Sequence, residues 1–238
     1  DKEVDTSTAT HDEEVDGTES SNNISIIYDV NDMFTNKFTL ANTYIKRVYG
    51  PTENSGNALQ DNYYGDRYSL SYTGNYNINL DNSIVFGIER ENDKIGYNKD
   101  LSGREDKHNY VTSNFFDLQS RITNNIYFTL GSRFDEHSIA GNEDSHRATF
   151  AYLFDDKSLK IKSSYGTGFR FPSLYEMFFV YAANSKSLGN VKAENSKSFD
   201  LGFEKFMTDI NLSLEATYFN LKYNDVLEGW KTGNSSGL

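Results

Sequence analysis

Apolar and polar residues alternate one for one over stretches longer than an ordinary soluble strand, and that period confines most of the chain to β-structure. From Tyr68 onward, Tyr68, Leu70, Tyr72, Tyr76, Ile78 and Leu80 fall on one face of a pleated strand, while Ser69, Ser71, Thr73, Asn75, Asn77 and Asn79 fall on the other. A helix would scatter both sets. The pattern recurs in Ile84, Phe86 and Ile88, in Ile126, Phe128 and Leu130, in Phe199, Leu201 and Phe203, and in Leu212, Leu214, Ala216 and Tyr218. It predicts strands over 24–30, 38–49, 64–78, 83–97, 109–122, 126–138, 146–154, 159–170, 196–206 and 210–224. Most of them exceed the roughly 5–6 residues of a soluble strand and reach the roughly 9–11 that a tilted strand needs to cross hydrocarbon.

The connections alternate as well. Short polar turns are expected at Asn31 to Lys37, Leu80 to Asn82, Thr123 to Asn125, Asp155 to Ser158 and Met207 to Asp209. Longer connections are expected at Gly50 to Tyr63, Asn98 to His108, Ile139 to Ser145 and Phe171 to Asn195, so one end of the sheet is plain and the other elaborated. That asymmetry belongs to membrane barrels. Alternation alone also suits a soluble sandwich, whose apolar faces meet in a core. Aromatic residues gather toward strand ends, at Tyr63, Tyr64 and Tyr68, at Tyr152 and Phe154, at Tyr165 and Phe169, and at Tyr218, Phe219 and Tyr223, where amphipathic rings suit a lipid headgroup zone.

Composition narrows the solvent and the partners. A mean hydropathy of -0.67 reads as soluble, but strands apolar on one face only keep this average low even in a barrel. The longest apolar run, Met177 to Ala183, is far short of the ~18 residues of a membrane helix. With no cysteine, a disulfide framework and a thiolate metal site are both excluded. A net charge of -12 argues against nucleic acid as a partner. The chain opens at Asp1 with neither an initiator Met nor a signal peptide and reads as a fragment.

The most distinctive segment runs Tyr165-Gly-Thr-Gly-Phe-Arg-Phe-Pro-Ser-Leu-Tyr-Glu-Met-Phe. Pro172 lacks a ladder donor and ends the strand, Ser173 with Glu176 forms a capping box for a short helix through Met177 to Tyr181, and Gly166 and Gly168 share a face with Arg170. This segment resembles the barrel signature of TonB-dependent outer-membrane receptors, in the cobalamin and ferric-siderophore branch, at Tyr165, Gly166, Gly168, Phe169, Arg170, Pro172, Ser173, Leu174, Tyr175 and Glu176. Gly189-Asn190, Lys192-Ala193-Glu194-Asn195-Ser196, Asp200-Leu201-Gly202-Phe203-Glu204, Ala216-Thr217-Tyr218-Phe219 and Tyr223-Asn224-Asp225-Val226-Leu227 continue the likeness in the family's order.

The resemblance implies an all-β, antiparallel transmembrane barrel of about 22 strands around a plug, of which residues 1–238 supply about ten strands without plug or C-terminal strands. It also implies the outer membrane of a Gram-negative bacterium, outer-membrane lipid around the barrel, and a TonB partner acting through a plug. The cargo would be a small-molecule or metal-chelate ligand such as cobalamin or a ferric siderophore, and no cofactor is expected. Tyr175, Phe178, Phe179, Tyr181 and Asn184, in the longest connection, are the expected ligand contacts, since rings with a few polar groups suit a corrin or a siderophore.

Other constellations are weaker. Asp1 to Glu19 is rich in carboxylates but lacks the spacing of an EF-hand and reads as a solvated acidic loop, with calcium binding left open. His11, His108, His137 and His146 sit in or beside connections and read as surface histidines. There is no G-x-S-x-G, P-loop or dinucleotide fingerprint, and the chain is not expected to be an enzyme. A secreted or surface β-protein binding carbohydrate or another cell stays open as an alternative, as does an outer-membrane hydrolase.

Overall fold

The computed structural model describes residues 13–51, 61–98, 104–156, 158–181 and 192–226. They form one antiparallel sheet of ten strands in sequential order: β1 (Glu13–Asn31), β2 (Phe34–Pro51), β3 (Asp61–Asn79), β4 (Asn82–Asn98), β5 (Arg104–Arg121), β6 (Ile126–His137), β7 (Gly141–Leu153), β8 (Leu159–Arg170), β9 (Glu194–Met207) and β10 (Leu212–Asn224). Every expected strand is present. No described helix is long and apolar enough to cross a membrane, which says nothing of strands.

The pairings carry two unlike faces across the sheet. One row runs Phe34, Tyr76, Ile84, Leu118, Leu130, Ala148, Tyr165 and Phe199, each residue opposite the next, through eight successive strands. Shifted by one residue, the row becomes Thr35, Asn75, Val85, Asp117, Gly131, Arg147, Gly166 and Ser198. The first face is an exposed band, including Leu70, Tyr165, Leu201 and Tyr218, and among the described residues no second sheet lies over it. An apolar surface this continuous requires an apolar solvent or partner. A sandwich would have buried it.

The short turns close on side chains that accept backbone N–H groups. Asn31 Oδ1 takes Met33 N at 2.9 Å and Phe34 N at 3.0 Å, Asn79 Oδ1 takes Asp81 N at 2.9 Å, and Asp156 Oδ1 takes Ser158 N at 3.0 Å. These Asx turns satisfy donors that the reversing chain would otherwise leave open. The last hairpin turns through a 3-10 segment, Thr208–Ile210, and Asn211 at φ 49°.

Three expectations need correction at the opposite end. The connection at Ile139 to Ser145 is a tight turn over 138–140, because β7 already begins at Gly141, whose φ of +88° lets the chain reverse at once. Asn98 pairs with Arg104, so β5 begins well before the expected 109 and the connection there is short. Glu13 to Glu19 belong to β1, paired against Pro51 to Ile45 of β2, and are not loop. In each case the strand runs on through polar residues, where alternation between polar types carries no period. The connection from Phe171 to Ala193 is long, as expected.

Candidate functional site

The site grows from the end of β8. The chain leaves the sheet after Arg170, and Ser173 and Glu176 close the expected capping box: Glu176 Oε2 accepts Ser173 N at 2.7 Å, and Ser173 Oγ accepts Glu176 N at 3.2 Å. The helix that follows is a π-helical turn, Glu176–Tyr181. The Arg170 guanidinium donates to both Glu176 oxygens at 3.0 Å and, through Nε, to Glu194 Oε2 at 2.8 Å. One arginine thus fastens both ends of the long connection. Burial raises the Glu176 carboxyl, but the hydrogen bonds from Arg170 and Ser173 outweigh it and hold the group below the usual glutamate range.

Fastened this way, the turn folds onto the polar face. Met177 is fully buried and Leu174 nearly so, packed with Phe178 against Ile95 of β4 and Ile139 of the β6–β7 turn. This is the only core cluster among the described residues. Because Ile95 shares its face with Glu89, Glu91 and Asp93, this face is the inner one, and the apolar band is the outer.

Charged groups on the wall beneath the turn are paired. Arg67 holds Asp93 with two bonds, 2.6 and 2.9 Å, and lies 3.8 Å from Glu91. Arg133 reaches Asp135 at 2.9 Å, Glu89 at 3.3 Å and Ser113 at 2.8 Å. Toward the short-turn end, Glu204 accepts from Lys160 at 3.2 Å and Lys162 at 2.6 Å, beside a cavity of about 400 Å³ that includes Thr149, Ala151, Asp200 and Gly202 in its lining. Among the described residues no group of three or more His, Asp or Glu could hold a metal ion.

The expected ligand contacts fare unevenly. Tyr175 is 38% exposed on the turn, while Phe178 is partly buried in the cluster, with the Lys107 ammonium 5.2 Å from its ring centroid. The backbone of Phe179 and Tyr181 lies in the π-helical turn, and Asn184 lies outside the described residues. The signature residues divide by face. Tyr165 is on the outer face opposite Phe199; Gly166 and Gly168 sit opposite Ser198 and Ser196 on the inner face, where a Cβ at Gly168 would come within 3.1 Å of Ser196 Oγ. Phe169 packs edge-on against Phe171, and Pro172 is among the fully buried side chains.

Two sequence readings change. His137 is 4% exposed, not a surface histidine, whereas His108 and His146 are exposed as expected. Tyr63 is part of an inner-face ladder, 5.4 Å from Tyr49 and 4.8 Å from Tyr97 between ring centroids, on the face opposite the apolar band. The arginine-carboxylate pairs went unforeseen. Their only signal was a charge placed within an alternating strand, and partners on other strands follow from register alone.

The model of the family described as TonB dependent receptor-like, beta-barrel matches residues 3–234. The chain belongs to that family. Its members are outer-membrane proteins of Gram-negative bacteria. No curated protein matches the chain. Among solved structures, the chain is similar to the copper transporter OprC (12% identity, TM-score 0.74, 89% of this chain and 40% of that one). It is also similar to the ferric-catecholate import receptor Fiu of Escherichia coli (12%, 0.65, 92% and 42%) and the siderophore receptor PirA of Pseudomonas aeruginosa (18%, 0.55, 86% and 46%). The chain spans less than half of each of these structures, and at such identity the likeness is one of fold.

Proposed function

We propose that residues 1–238 are part of the barrel of a TonB-dependent receptor that takes up a scarce nutrient, cobalamin or a ferric siderophore, with energy delivered by TonB through a plug. Family membership supports uptake as the activity, and the family is made up of receptors and transporters rather than enzymes. The observation that carries the reading is the inward-folded turn after β8, which holds Tyr175 and Phe178 above a wall of paired charges. A cargo entering the barrel would meet these rings first, with Phe179, Tyr181 and Asn184 continuing the same connection.

The exposed apolar face supports a barrel over a secreted or surface β-protein that binds carbohydrate or another cell, whose apolar faces would meet in a core. Two uptake assays with cells carrying the complete receptor test the reading, one with radiolabelled cyanocobalamin and one with a ferric catecholate. Uptake of one cargo that stops when TonB is deleted, and that weakens on Tyr175→Ala with barrel assembly intact, is the expected result. Equal accumulation with and without TonB overturns the coupling, and unchanged uptake in Tyr175→Ala removes that residue from the contacts.

A further inference from the structure

The β6–β7 turn is closed by an imidazole where the β1–β2, β3–β4 and β7–β8 turns use asparagine or aspartate. His137 Nδ1 accepts the backbone N–H of Ile139 at 3.0 Å and of Ala140 at 2.9 Å. A nitrogen that accepts cannot carry a proton, so the neutral ring holds its proton on Nε2. Nε2 lies 3.0 Å from the side-chain amide of Asn109. Which amide atom faces the ring follows from its partners, and a donating Nε2 calls for the oxygen. That orientation also gives a partner to Asn109 Oδ1, which is otherwise buried with none.

The same ring is the contact between turn and loop. The ring packs on Phe171, the first residue of the long connection, at 4.7 Å between ring centroids and a tilt of 45°. Two residues on, Ile139 packs against Leu174 and Met177. We infer that His137 is a positioning residue, which holds the inward-folded turn over the inner wall only while its ring is neutral. A proton on Nδ1 would set a donor against two backbone donors, open the turn at 138–140 and withdraw Ile139 from the Met177 cluster.

The charged groups around the ring do not prevent this. Asp93 on β4 is held by Arg67, Asp135 on β6 is held by Arg133, and Glu176 on the loop is held by Arg170. Lys107 lies two positions from Asn109 on β5 with Glu105 at 3.5 Å, and Glu143 on β7 stands opposite Asp135. The neutral ring belongs to the docked state, so the docked state binds fewer protons than the released one. Docking is complete at high pH and is lost as pH falls.

This inference rests on the proposed role of the loop in cargo binding, but its test needs no cargo and so fails or succeeds separately. Hydrogen exchange of the segment 171–181 is followed in the complete receptor in detergent, at about pH 7.5 and about pH 5, corrected for the intrinsic rate. Protection is expected to fall by about tenfold or more across that interval. His137→Asn presents an oxygen near the place of Nδ1 and does not titrate, so its protection should be independent of pH in this range, whatever its level. Unchanged protection in the unmodified receptor, or a pH-dependent loss that persists in His137→Asn, overturns the inference.

Discussion

Strand β6 carries Ile126, Phe128 and Leu130 on its outer face and Arg133, Asp135 and His137 on its inner face, and the two sets hold the molecule in different ways. Leu130 lies between Leu118 and Ala148, and any apolar side chain of similar size would keep that band intact. Arg133 has three named partners at defined distances, from β4, β5 and β6, and no other residue type would serve all three. The outer face is specified by solvent, the inner face by geometry.

The sharpest way to break this contrast is to exchange the solvents. Leu130→Arg puts a charge in the band and is expected to cost about 2–4 kcal/mol near the bilayer midplane, whereas Thr129→Arg, one residue away on the inner face, should cost about 1 kcal/mol or less. Urea unfolding of the complete receptor in lipid measures both, and equal costs would mean that the faces are not distinct. Next, Met177→Ala empties the only described core cluster and should weaken loop docking by about 2–4 kcal/mol, read as exchange of 171–181, with barrel unfolding unchanged.

A smaller effect is expected at Gly87, where an added Cβ would meet the backbone oxygen of Tyr72 and come within 2.5 Å of the Phe115 ring. Gly87→Ala should cost about 1–3 kcal/mol of barrel stability, and a neutral result would mean that neither the Tyr72 oxygen nor the Phe115 ring approaches that closely. The smallest effect concerns Glu176. Its lowered native value means that its contribution to docking is complete above the ordinary value of 4.5 and is lost as pH falls through the native one. Glu176→Gln should abolish that acid step below pH 4.5 in the exchange profile of the loop while leaving the histidine step above it in place.

Much of the outer face was legible because a period of two needs only residue type. Ile84, Phe86 and Ile88 announce their face without knowledge of any neighbour. Strand ends were less legible. Glu13 to Glu19 and Arg104 to His108 extend strands through runs in which both faces are polar, and the pattern disappears there although the ladder continues. The capping box at Ser173 and Glu176 was legible because its partners lie three residues apart. Arg170 was legible as a signature position, but its grip on Glu194 was not, since that partner is far along the chain. His137 was misread for the same reason: its position beside a turn suggested exposure, and what buries it is Asn109 and Phe171 on other elements.

Alternate residues of one set of strands are expected to face lipid and the barrel interior. Single cysteines placed in turn at Ser198, Phe199, Asp200, Leu201, Gly202 and Phe203 of the complete receptor in a bilayer, each carrying a bimane label, test it through quenching by a lipid-confined and a water-soluble quencher. The account predicts lipid quenching at Phe199, Leu201 and Phe203 and aqueous quenching at Ser198, Asp200 and Gly202. Uniform quenching along the strand by either agent would contradict it.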